Sequence, residues 1–227
     1  MARTVNVEAH ADRRDTFVDA GLRLMQSKGY RLMSIQDVLD ETESSKGAFY
    51  HYFDSKGALL EAMIDRITDT ALATVEPAIN EPNMTAVDKL VGLFSGIAGW
   101  KNARRDLLVA LLEVWMSDDN IVVREKIRHS LGPRLGPLLT RIVAQGKGEG
   151  QFDVDDPAST ATLILAMITA SSEAASRLFL DCQSGQATIE DARKLIRTYQ
   201  EAMERILAAP RGSLTYVDEE TIQIWFG

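Results

Sequence analysis

Apolar residues recur every three or four positions along nearly the whole chain, a period that leaves little room for any fold class but an all-helical one. Phe17, Ala20, Gly21 and Leu24 mark the first segment, which Lys28 and Gly29 close with a basic last turn and a glycine stop. Ser34 opens a short helix as its N-cap, with Asp37 three residues on and Ile35, Val38 and Leu39 sharing a face. Ser45 opens another, carrying Phe49 and Phe53 as an i,i+4 apolar pair. Asp54 and Ser55 then head a longer helix to about Leu72, apolar through Leu59, Leu60, Met63, Ile64 and Ile67. The nearest strand candidate is the tail segment 221–226, too isolated to found a sheet. The chain reads as all-α.

Pro77 and Pro82 frame the first clear linker, and five further helical segments follow it. They cover about 85–100, 104–116, a stretch from 119 that Pro133 and Pro137 should kink or break, 157–180 and 188–209. Residues 146–150 (GKGEG) act as a breaker, Asp156-Pro157 supplies a cap and an N1 proline, and Ser184-Gly185 is a stop. The tail after Leu214 ends in an apolar cluster that either docks on the preceding helices or on a second copy of the chain, or stays partly unfolded.

Composition narrows the chemistry. One cysteine, Cys182, excludes a disulfide framework and a multi-cysteine metal site, and reads as a plain structural or surface thiol. His10, His51 and His129 lack metal-ligand spacing, and no acid/base pair or nucleophile constellation stands out. No metal, no cofactor and no enzymatic activity are therefore expected. The first ten residues hold no apolar signal core, and the most apolar stretch, 163–170, falls far short of the ~20 residues that span a bilayer. A cytoplasmic protein without a membrane partner is expected.

The 25 Lys+Arg against 33 Asp+Glu give a net charge of −8, which opposes non-specific polyanion binding by the whole molecule. The acidity is uneven, however. Residues 1–60 sum to −1, and within 44–60 the balance is +1, with Asp54 the single acid.

That near-neutral region holds two short helices joined by a tight turn and preceded by a longer one, the layout of a helix-turn-helix. The first short helix would cross a DNA backbone and the second would lie in the major groove. Ser44, Ser45, Lys46, Gly47 and Ala48 crowd the recognition helix's first turn, where side chains reach base edges. Gly47 costs ~1 kcal/mol of helix propensity against alanine, which suggests close backbone approach to a partner. Tyr50, His51 and Tyr52 cannot all be core on a helix that buries Phe49 and Phe53, and those facing outward would donate to phosphate oxygens. Lys56 adds a cation at the head of the next helix, and Arg13 and Arg14 would join the same face. The alternative is a structural helical hairpin with surface tyrosines.

The same stretch resembles the TetR family of one-component bacterial repressors. Ser34, Asp37, Val38, Ser45, Gly47, Phe49, Tyr50, Tyr52, Phe53, Lys56 and Leu59 stand in register with that family's pattern, eleven positions in a 26-residue window. Thr42-Glu43-Ser44 departs from it, standing where many members carry Ala-Gly-Val. The resemblance implies a three-helix DNA-binding domain over residues 1–55 and a helical ligand-binding and dimerisation domain over 56–227. It further implies a homodimeric repressor on a palindromic double-stranded operator, released by a small-molecule effector.

Within the second domain, 163–175 is apolar or small nearly all round, so it should be buried on all sides, one of them against a partner chain. A homodimer interface through helices at about 157–180 and 188–209 is expected. Phe94, Trp100, Leu112, Glu113, Trp115, Met116, His129 and Phe179 are the candidates to line a cavity for an apolar or amphipathic effector. Plain core is the competing reading for each. Glu113 is the exception, an acid on an apolar face whose burial needs a partner. The alternative function is an α-helical apolar-ligand-binding protein, or a regulator controlled by a protein partner.

Overall fold

The computed structural model describes the backbone of residues 2–115 and 121–227, and the side chains of residues 12–112 and 131–227. Over the described residues ten helices follow one another and no strand forms. They divide into two compact units, Met1–Thr70 with Arg104–Ile127, and Ala71–Ala103 with Arg128–Gly227.

The first unit contains α1 (Ala2–Leu32), α2 (Ile35–Glu41), α3 (Lys46–Tyr52), the first part of α4 (Lys56–Asn80) and α6 (Arg105–Trp115). Phe17, Val18, Ala20 and Met25 of α1 are buried with Val38 and Leu39 of α2, Phe49 of α3 and Leu59, Leu60 and Met63 of α4. Phe17 is the hub. Its ring meets Phe49 edge-on at 5.6 Å and Phe53 edge-on at 6.3 Å, pairs worth about 0.5–1.5 kcal/mol each beyond their burial. The glycine stop falls where the pattern puts it: Gly29 takes φ +76°, outside the helical region, and only one further turn follows to Leu32.

The second unit contains the end of α4 with α5 (Ala86–Asn102), most of α7 (Ile121–Gly148), α8 (Pro157–Gln183), α9 (Ile189–Leu207) and α10 (Glu219–Phe226). Its core joins Val75 and Ile79 to Leu90, Leu93, Leu139, Ile142, Val143, Ile164, Met203 and Leu207. A polar node seals the start of α5. The Ala86 N–H donates to Glu149 Oε2 at 2.9 Å, and the Val87 N–H donates to Gln151 Oε1 at 3.1 Å. Lys89, buried, donates to Gln145 Oε1 at 3.0 Å. Glu204 is the unit's buried acid, and its Oε1 accepts from the Leu214 N–H at 3.1 Å.

Several boundaries differ from the sequence expectation, each for a packing reason. Pro77 does not begin a linker: α4 carries it in its final turns to Asn80, because Val75 and Ile79 on either side are sunk in the core. Pro133 and Pro137 do not break α7. Leu135, Leu139, Ile142 and Val143 pin that segment, and their burial outweighs the prolines' cost. The tail segment 221–226 is no strand candidate. Asp218 caps α10 by accepting from the Thr221 N–H at 2.8 Å, Ile222 is buried, and Arg193 of α9 pairs with Glu219.

The helix α8 reaches 27 residues, and by length and hydropathy it is long and apolar enough to cross a membrane, unlike the shorter stretch read from the sequence. Ala161, Ile164 and Phe179 nevertheless turn into this unit's interior. Burial on all sides is not realised within one chain: Leu163 is 59% and Leu180 36% exposed.

Candidate nucleic-acid interface

The turn between α2 and α3 is closed by local bonds. The Ser44 N–H donates to the Leu39 carbonyl at 2.9 Å, and Thr42 Oγ1 donates to the Val38 carbonyl at 2.7 Å. Glu43 sits between them in the left-handed region, φ +47°. Ser45 then caps α3, its hydroxyl accepting from the Ala48 N–H at 3.2 Å.

Phe49 is fully buried and anchors α3, which leaves the opposite side of the helix facing out. Ser45, Lys46, Gly47, Tyr50 and His51 are exposed, while Ser44, Ala48, Tyr52 and Lys56 are half-buried. The three consecutive rings are thus sorted. Tyr50 and His51 face outward, and Tyr52 tilts onto Phe17 at 5.9 Å. A Cβ at Gly47 would meet only Ser45 Oγ, at 3.9 Å, so nothing inside the chain requires a glycine there.

Cations surround this face. Arg13 Nη2 donates to Ser44 Oγ at 3.3 Å, the Arg14 guanidinium stands 5.4 Å from the Phe53 ring, and the Lys46 ammonium 5.9 Å from the Tyr50 ring. Two of the nearby acids are engaged: Glu41 pairs with Arg23 at 3.0 Å, and Asp40 accepts from Gln36 at 2.7 Å.

Ser34 is exposed and its side chain serves the fold. Its hydroxyl donates to the Asp37 carboxylate at 2.6 Å and accepts from the Asp37 N–H at 3.1 Å, a reciprocal cap. Lys28 lies 2.6 Å from the other Asp37 oxygen. The Lys28 and Ser34 bonds hold the Asp37 carboxyl well below the usual carboxylate range. Sequence reasoning missed Tyr30, whose ring lies beneath Lys56. Its signal was an aromatic residue directly after the glycine stop.

The candidate effector residues are scattered. Phe94 stacks on Tyr216 at 4.4 Å, Phe179 meets Trp225 edge-on at 6.0 Å, and Trp100 is buried, all in the second unit. Leu112 belongs to the first unit. The side chains of Glu113, Trp115 and His129, and the whole of Met116, lie outside the described residues. Among the described residues no group of three His, Cys, Asp or Glu is placed to hold a metal.

Residues 17–63 match the family described as bacterial regulatory proteins, tetR family. The helix-turn-helix segment is thus of the TetR-family type. The matched segment holds the second half of α1, all of α2 and α3, and the start of α4. The HTH-type transcriptional regulator YuxN of Bacillus subtilis is 33% identical over 88 residues, 37% of this chain and 30% of that protein. The HTH-type transcriptional repressor DhaR of a Mycobacterium species is 25% identical over 142 residues, 63% of this chain and 71% of that protein. This chain's alignments with YuxN and a Lactococcus lactis regulator cover less than a third of those relatives' own lengths. Among solved structures, RolR in complex with resorcinol superposes with a TM-score of 0.63 at 15% identity, over 96% of this chain and 95% of that one. That likeness is one of fold, and it runs over nearly the whole chain.

Proposed function

We propose that this chain is a homodimeric transcriptional repressor, held on a palindromic operator by two copies of α3 and released by a small apolar or amphipathic effector. The observation that carries the reading is the outward face of α3, where Lys46, Gly47, Tyr50 and His51 are exposed above a fully buried Phe49. Such a helix brings a cation, hydrogen-bonding rings and an open stretch of backbone to a groove. Residues 1–55 take the DNA-binding role, with Ser44, Ser45, Ala48, Tyr52 and Lys56 at the margin of the contact.

Residues 56–227 take dimerisation and sensing. The exposed leucines of α8 support a dimer face built from α8 and α9. Two recognition helices then meet successive major grooves about 34–36 Å apart. An effector acts by preferring a conformer in which that spacing no longer fits, a coupling of about 1–3 kcal/mol. The helix α4, which supplies side chains to both hydrophobic cores, is the lever. RolR's complex with resorcinol supports a small molecule as the effector class. The protein works in the cytoplasm by binding and not by catalysis.

The test is fluorescence anisotropy on duplexes from the region upstream of the chain's own gene, across a salt series. The native chain retains a palindromic fragment with affinity that falls steeply with salt. Tyr50→Phe and Lys56→Ala each weaken binding on every sequence, and Lys56→Ala reduces the salt slope by about 1. No retention at low salt, combined with tight uptake of a hydrophobic small molecule, would replace this reading with an apolar-ligand carrier.

A further inference from the structure

The Lys56 ammonium stands 4.1 Å from the centroid of the Tyr30 ring, the closest of the three cation–ring contacts around the head. The two residues come from different helices, Tyr30 from the last turn of α1 and Lys56 from the first of α4. Gly29, at φ +76°, interrupts the helical path of α1 immediately before Tyr30. Tyr30 is half-buried and packs against the first core, so its ring is a fixed platform.

The carboxylate near this pair is already committed. Asp37 is bonded to Lys28 and to both the N–H and the hydroxyl of Ser34, each at 2.6 Å. Burial lowers the Lys56 ammonium from its ordinary value against the pull of the Asp37 charge, so the cation is partly stripped of water. Burial likewise raises the Tyr30 hydroxyl, which keeps the ring neutral and its face available to a cation. A lysine on a free four-carbon stem loses rotamer entropy when it docks on a phosphate, and one held against a ring has already lost part of it.

We infer that Tyr30 is a positioning residue for DNA backbone binding: its ring holds the Lys56 ammonium at the head of α4, ready for a phosphate. The inference rests on the DNA-binding reading above and adds to it a residue outside the helix-turn-helix.

The experiment compares Tyr30→Leu and Tyr30→Phe, each with Lys56 intact and with Lys56→Gln, on a duplex that the native chain retains. Tyr30→Leu weakens binding about three- to tenfold in the Lys56 chain and adds no loss in the Lys56→Gln background, whereas Tyr30→Phe restores native affinity. Equal losses in both backgrounds, or a Tyr30→Phe chain as weak as Tyr30→Leu, would overturn the inference, because packing or the hydroxyl would then be responsible.

A readout without DNA separates the two claims. The ring shifts the Lys56 ε-methylene protons upfield in the native chain and in Tyr30→Phe, and that shift is lost in Tyr30→Leu. Failure to retain any duplex alongside a ring-shifted Lys56 would sink the functional reading and leave the platform standing. An unshifted native Lys56 would sink the platform itself.

Discussion

Trp225 donates its indole N–H to Asn102 Oδ1 at 2.8 Å, tying the last helix of the chain to the last residue of α5. The other side of the Asn102 amide is also used, since Nδ2 donates to Thr221 Oγ1 at 2.9 Å. Trp225→Ala removes one bond of that fork and the edge contact with Phe179. It should cost about 1–3 kcal/mol of stability, read as a lower unfolding midpoint in denaturant. A midpoint equal to that of the native chain would mean that Ile222, Arg193 and the Asn102–Thr221 bond suffice to hold α10.

The left-handed Glu43 offers a substitution that should improve two properties at once. A non-glycine residue in this region costs about 1–2 kcal/mol, and a glycine gives back about 0.5–1 kcal/mol through the freedom of the unfolded chain. Glu43→Gly should therefore raise stability by up to about 1.5 kcal/mol. It also removes a negative charge from the turn before α3, so duplex affinity should rise at low salt and the gain should shrink at high salt. A variant that is less stable than the native chain would show that Glu43 makes a bond outweighing its backbone strain.

Asp37 ties stability to acid. Its carboxyl lies lower in the folded chain than the ordinary aspartate value near 3.9. A lowered folded value contributes stability that is present above the unfolded value and drains away as pH falls toward the folded one. The difference in melting temperature between the native chain and Asp37→Asn should therefore narrow as pH is brought from 7 to about 3. A gap that stays constant over that range would mean that the Lys28 and Ser34 bonds do not discriminate the charged carboxylate.

The exposed side of α8 gives a direct probe of assembly. Leu163→Glu places a charge on a residue that is 59% exposed in the single chain, so it should leave the monomer's fold intact. In a dimer built through α8 the same charge is desolvated, and sedimentation should show a monomer with a native helical spectrum. A dimer that persists would move the interface off this face.

How far the sequence could be read depended on how local each feature is. Ser34 with Asp37, and Ser45 before Phe49 and Phe53, are caps and i,i+4 pairs complete within one turn, and the helix-turn-helix was legible for that reason. The Glu43 backbone was less so: its residue type argues against a left-handed turn, and closure from Leu39 to Ser44 imposes one. Pro77, Pro133 and Pro137 misled because propensity is a local cost while the burial of Val75 and Leu139 is a tertiary gain. The run Ile222–Phe226 is too short for its period to separate helix from strand, and Asn102 and Arg193 lie far away in sequence. The effector candidates were chosen by residue type on helical faces, a signal that core and cavity share.

The seal on α5 bears on the order of folding. Its first two amides are satisfied by residues 63 and 64 positions further along, so this helix start cannot be completed until that long stretch of chain has closed. Amide protons 86 and 87 therefore record the arrival of the segment that follows α7. In a pulse-labelling experiment they would become protected later than the amides in the middle of α5, giving a built-in clock for assembly of the second core.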